Sequence, residues 1–424
     1  MRALPTTARA SIGTSDWRRT LAPWYLAEFL HSYGVTIYST CVYFYAVERF
    51  GASPAQCLWL SAGGGLIYVF ISLLAGHLSE IWGARRLLVR MGGGCAFTAL
   101  AGLATLYLPA ARSLWWLFLA MTAFNLTANQ LWPAFESAVT RSPASAPLSR
   151  RVAAYNLTWA SSSFAGFFCA PYVKAAGWTL VFVLPAGICL AAAGVVHFLA
   201  IRQEEIGPSA AQTEPEASSE AAAVKRRART LLHMAWIGNA MSYVAIFVLI
   251  PVLPTIVRIA GVSTALGAAV LISVWTLARA AGFLLTWHWT GWHYSVRWML
   301  GAYLLMAISF IVVLSLPQVS VVLLAAQALF GLAVALLYSS SLYYAMHVSS
   351  GAGGHAGVHE ALIGLGAAVG PLAGALAGGG STAAPGRIPP AIVLAVGMVL
   401  AAGFAAAAAL GLRAGPRSAT AKAQ

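Results

Sequence analysis

The stretch Gly76–Arg86, GHLSEIWGARR, concentrates Glu80, Arg85 and Arg86 in a few residues between two long apolar runs. A short basic loop between two membrane helices must turn sharply, and Gly76 and Gly83 permit close helix approach and a turn that side chains would resist. Glu80, placed between the glycines, is positioned to bond the N-terminus of a neighbouring helix, while the arginines stay at an anionic membrane surface. An ordinary turn with retained arginines would look the same over these residues alone, so the reading depends on the rest of the chain.

That rest is apolar. Of 424 residues, 60% are hydrophobic and 8% charged, a balance that leaves a soluble domain too little to present to water and marks an integral membrane protein. A net charge of +14 would suggest nucleic acid in a soluble chain, but in a membrane protein the basic residues must be read by side. A span needs roughly 20 mainly apolar residues. Twelve such runs occur, at 22–47, 55–78, 87–108, 113–138, 151–174, 178–200, 231–257, 262–287, 297–316, 319–346, 357–379 and 390–412. With the N-terminus inside, the outer loops hold only Arg49, Arg112, Lys174, Arg258 and Arg387, and Arg279 falls within a span. Every other Lys and Arg then lies on the inner side, which predicts both termini in the cytoplasm. Tryptophans at run ends, such as Trp24, Trp82, Trp115, Trp116, Trp178, Trp287 and Trp298, suit interfacial anchoring. The five cysteines lie in or beside apolar runs without metal-ligand spacing and read as small apolar fillers; no metal and no cofactor is expected.

The spans divide six and six. Between the sixth and seventh, residues 203–229 turn polar, first acidic and then basic from Lys225 to Arg229, and read as a flexible cytoplasmic linker whose basic end lies on the lipid surface. The expected organisation is a tail at 1–20, a six-helix bundle at 21–202, the linker, a second bundle at 230–413 and a tail at 414–424. The halves also match each other: Ser32-Tyr33 and Gly51-x-Ser53 recur at a common offset as Ser242-Tyr243 and Gly261-x-Ser263. Asn156 precedes Gly166 as Glu360 precedes Gly370.

The Gly76–Arg86 pattern resembles the helix 2–3 loop signature of the major facilitator superfamily, departing from it at Glu80 and Ala84, and two six-helix repeats joined by a polar linker are similar to that superfamily's architecture. The resemblance implies an all-α fold of twelve transmembrane helices in two pseudo-symmetric bundles, with a solute bound between them. It also implies a conformational switch at Gly76, Glu80, Gly83, Arg85 and Arg86, joined by Glu136 at the inner end of span 4.

Charge inside a bilayer is costly and flags function. Glu28 lies three residues before His31 on one helical face, where a carboxyl and an imidazole can exchange protons or form a structural pair. Arg279 needs water, a carboxylate or a substrate anion; Glu28 or Glu360 is a candidate partner, and a fixed ion pair between the halves is the competing reading. His359-Glu360 opens span 11 without the second histidine of a zinc-protease motif, and helix capping competes with a functional role for Glu360. Gly366, Gly370, Pro371 and Gly374 follow as a smooth, bendable helix face, with Gly166 in the corresponding place in span 5. Asn125 and Asn129 in span 4 and Gln327 in span 10 offer amides to a solute or to neighbouring helices.

The expected function is a secondary active transporter of a small organic solute in a bacterial inner membrane, proton-coupled and monomeric, with the bilayer, the solute and protons as partners and no nucleic acid. An uncoupled facilitator is the alternative in the same class. A polytopic enzyme or sensor is the alternative from another class; no phosphate-binding loop occurs and the single aspartate is Asp16. An enzyme is not expected.

Overall fold

The computed structural model describes residues 16–140, 148–200, 219–349, 354–379 and 387–413. The expected terminal tails and the acidic half of the linker fall largely outside these residues. In chain order the helices are α1 (Asp16–Phe50), α2 (Pro54–Trp82), α3 (Ala84–Ala101), α4 (Ala104–Tyr107), α5 (Leu114–Ala128), α6 (Leu131–Thr140) and α7 (Leu148–Ala176). They continue with α8 (Trp178–Phe198), α9 (Ser219–Ile259), α10 (Ala265–His288), α11 (Val296–Ser315), α12 (Ser320–Ser349), α13 (Gly354–Gly378) and α14 (Pro390–Arg413). Helices satisfy their own backbone groups, which is what lets so apolar a chain sit in lipid.

Local chemistry sets the ends. Gly51 closes α1 at φ 64°, its N–H on the Val47 carbonyl. Ser53 then starts α2 with a reciprocal box: its Oγ accepts from the Gln56 N–H at 3.2 Å, and its own N–H donates to Gln56 Oε1 at 2.8 Å. Gly261, at φ 68°, plays the Gly51 part after α9, and Thr264 caps α10 through the Gly267 N–H at 3.1 Å. The two glycines matched at one offset in the sequence thus share one backbone conformation.

Every apolar run is helical, but two are interrupted, correcting the expectation of one helix per run. The third is interrupted at Gly102, where an added Cβ would overlap the Phe182 ring. The fourth breaks at Asn129-Gln130. Pro133 stands four residues beyond Asn129, so it offers no N–H to that carbonyl and its ring opposes a straight helix. Part of the segment expected as a linker is helical: residues 219–229 are the first turns of α9, and at their basic end Arg227 donates to the Tyr294 carbonyl at 3.3 Å.

Among the described residues, nine helical stretches are long and apolar enough to cross a membrane. The runs that fall short are α1, the pair α5 and α6, and α7, which carry many of the polar groups facing the centre. The most extensive helix contact is α2 against α13; α7 packs on α10, α1 on α7 and α8, and α9 on α13. Glycines allow this. A Cβ on Gly166 would lie 2.7 Å from Thr36 Cβ of α1, and one on Gly370 would run into the Val244 carbonyl of α9. A Cβ on Gly366 would run into the Ala240 carbonyl of α9, and one on Gly374 would lie 2.9 Å from Leu58 Cδ1 of α2. Trp24, expected as an interfacial anchor, is instead buried in the core, whereas Trp115, Trp287 and Trp298 are exposed.

Candidate functional site

A cavity of about 170 Å³ lies where α1, α2, α5, α6, α7, α9, α10, α12 and α13 converge. That is space for about half a dozen water molecules at liquid density. Its wall is mainly apolar by area, but serine, threonine, asparagine and tyrosine side chains are set into it together with Arg279 and Glu360, a mixture suited to a small-molecule site.

Arg279, on α10, is buried and lines this cavity. Its Nη2 donates to the Tyr243 hydroxyl at 3.0 Å. Aromatic rings surround the guanidinium: Trp159 at 4.4 Å from ring centroid to Cζ, Tyr338 at 5.3 Å, Tyr243 at 5.5 Å and Phe283 at 5.7 Å. A buried cation is stabilised by such ring faces. No carboxylate pairs with Arg279 among the described residues, so neither the expected neutralisation by Glu28 or Glu360 nor a fixed ion pair is present.

Glu360 also lines the cavity and accepts a hydrogen bond from the Tyr68 hydroxyl of α2. Since α13 begins at Gly354, Glu360 lies inside the helix, which removes the capping role. His359, next to it, faces away to bond Ser341 through Nδ1 at 2.9 Å and to meet the Tyr338 ring edge-on.

Glu28 and His31 do not form the expected pair. Glu28 accepts from Ser32 Oγ at 2.7 Å, one turn along its own helix, and Ser32 accepts from Trp132 Nε1 at 3.0 Å. His31 turns to the rings of Trp132 and Phe135 on α6. Ser32 and Trp132 line the cavity and Glu28 does not, so the carboxyl stands one hydrogen bond behind the wall. Glu28, Glu136 and Glu360, the three acids expected inside spans, all lie within electrostatic reach of Tyr155 on α7.

Asn125 and Asn129 line the cavity; Asn125 Nδ2 also donates to the Met121 carbonyl at 2.8 Å. Gln327 does not line it and is wholly buried within α12, neither amide atom meeting a partner among the described residues. In the Gly76–Arg86 segment, Gly83 sits at φ 77° between α2 and α3. Arg85 donates to the Val196 and His197 carbonyls at the end of α8, satisfying orphan acceptors there instead of joining Glu136. Arg86 is exposed, and Glu136 is half-buried on α6. Gly76 and Glu80 belong to α2, but their surroundings lie outside the described residues.

Sequence reading missed Tyr68 and Trp159. The signal for Trp159 is a tryptophan in the middle of a span, where interfacial anchoring cannot apply.

The sequence profile of the Major Facilitator Superfamily matches residues 24–291, and the chain belongs to that family. It is a membrane transporter, not an enzyme. No curated protein matches it by sequence. Solved structures share its fold at low identity. The nucleoside transporter NupG is 12% identical, with a TM-score of 0.66 over 92% of this chain and 98% of that one. A bacterial homolog to the human lysosomal transporter Spinster, inward-facing and unoccupied, is 17% identical, with a TM-score of 0.62 over 95% of this chain and 96% of that one. A structure on substrate recognition in proton dependent oligopeptide transporters is 12% identical, with a TM-score of 0.67 over 94% of this chain and all of that one.

Proposed function

We propose that the chain carries a small organic solute across a bacterial inner membrane by exposing its central cavity to each side in turn, with transport coupled to protons through Glu360. The observation that carries this reading is the cavity itself: helices from both ends of the chain meet around it, and it holds Arg279 on one element and the Tyr68–Glu360 contact on two others. In this reading twelve spans form two six-helix units, 21–202 and 230–413, joined by 203–229, with both termini cytoplasmic. The shared conformation of Gly51 and Gly261, and the parallel packing of Gly166 on α1 and Gly370 on α9, support the repeat. The two units rock about the α2–α13 and α7–α10 contacts. Glu28 joins the proton route through Ser32, which reaches the cavity wall, while His31 serves packing.

Reconstituted vesicles bearing a pH gradient test this with a panel of metabolites. Uphill accumulation that requires the gradient and disappears in Glu360→Gln supports coupling. Uptake at equal rate with the gradient collapsed rejects coupling and leaves an uncoupled facilitator; no uptake of any solute rejects transport through this cavity.

A further inference from the structure

We propose that the solute is a small organic anion with one carboxylate-type head and a flat apolar body, and that Arg279 receives the head. This rests on the transport reading above and names its substrate class. A guanidinium keeps its charge at any working pH and carries five N–H donors. Here the Tyr243 hydroxyl takes one of them, and no carboxylate takes the others among the described residues. A buried charge without a counter-ion is costly, and ring faces offset that cost only in part. The missing partner is therefore an anion that comes and goes, entering the cavity that Arg279 lines.

The surroundings fix the rest of the ligand. Trp159, Tyr243, Tyr338 and Phe283 hold the guanidinium in place, so that an arriving carboxylate meets an oriented donor set. The Tyr243 hydroxyl accepts from Arg279 and keeps its own proton to donate to the same head. Trp132, Phe167, Phe247 and Trp275 supply flat apolar wall for the body.

Charge balance then links the anion to a proton. With Glu360 ionised, the empty cavity holds one cation, Arg279, and one carboxylate; loaded with an anion it would carry an excess negative charge in a poorly solvated space, which a proton on Glu360 removes. The ionisable groups facing Glu360 are Tyr68 of α2, Glu28 of α1, Glu136 of α6, Tyr155 of α7, Tyr243 of α9 and Tyr338 of α12. None of them is a cation that could replace the proton. The loaded form is thus anion plus proton, and its movement is electroneutral.

The test uses the full-length protein in nanodiscs with benzoate, its neutral counterpart benzamide and its cationic counterpart benzylamine, read by thermal shift and tryptophan fluorescence. Benzoate is expected to stabilise the protein with a saturable dependence on concentration, and the other two are not. Arg279→Gln should weaken benzoate roughly ten- to hundred-fold, the loss expected for hydrogen bonds to a charged group. In Glu360→Gln benzoate binding should persist and lose the weakening at high pH that the unaltered protein shows. Benzamide or benzylamine binding as tightly as benzoate, an unaltered protein that ignores benzoate, or an Arg279→Gln variant that keeps full affinity would each overturn the proposal. If Arg279→Gln fails to fold, the discrimination among the three probes by the unaltered protein decides. Benzoate binding without uptake into vesicles counts against transport and leaves the anion assignment standing; uptake of neutral solutes by a protein that ignores benzoate does the reverse.

Discussion

Gly65 of α2 lies directly against Ala367 of α13: a Cβ built on Gly65 would run into the Ala367 carbonyl. One turn on, a Cβ on Gly364 would fall 2.8 Å from the Val69 nitrogen, so the two helices meet backbone to backbone. Gly65→Ala must push them apart and is expected to cost about 1–3 kcal/mol, the range of overpacking. Gly93→Ala, where nothing lies within 4 Å, should be neutral or slightly stabilising. Melting temperatures of the purified variants separate the two, and a Gly65→Ala protein as stable as its parent would refute the contact.

Trp159 and Tyr338 share one partner, Arg279, and also touch each other with ring centroids 5.4 Å apart. Removing either ring as Trp159→Leu or Tyr338→Leu should weaken solute binding, and the double variant should lose less than the sum, because the second loss acts on a cage already opened. Binding titrations across the four proteins give the coupling; strict additivity would mean the rings act independently of Arg279.

At the start of α3, Arg85 closes the last turn of α8. Arg85→Ala is expected to destabilise by about 1 kcal/mol, the scale of a cation at a helix C-terminus, while Arg86→Ala should leave the melting temperature unchanged. The reverse order would move the structural role in this loop to Arg86.

Lys174 Nζ stands 2.6 Å from Glu48 Oε1 and joins the ends of α7 and α1. Both side chains are substantially exposed, so Lys174→Gln should cost no more than about 0.2–1 kcal/mol, and the difference should vanish in molar salt. A loss that survives high salt would indicate a buried role for this pair.

Spans were legible because lipid demands an apolar run whatever its neighbours do, and the glycine pairs were legible because chain reversal and close approach leave few alternatives. The break at Asn129-Gln130 was written in Pro133, yet Pro171, Pro185 and Pro371 lie inside unbroken helices, so proline alone does not decide. Arg279 and Glu360 stood out as charges in apolar sequence, and both reach the cavity. Their partners did not stand out: the aromatic cage needs α7, α9, α10 and α12 to converge, and the Tyr68–Glu360 contact joins residues far apart in the chain. Sequence spacing suggested Glu28 with His31, but a serine one turn on offered the carboxylate a nearer donor.

The central claim is that one cavity opens to both sides of the membrane. Ser163, which lines it, can be made Ser163→Cys in a protein whose five cysteines are replaced. Reaction with a membrane-impermeant thiol reagent is then measured in right-side-out and in inside-out vesicles. Labelling from each face in turn is the predicted result, and labelling confined to one face, with the other never reactive, would contradict the account.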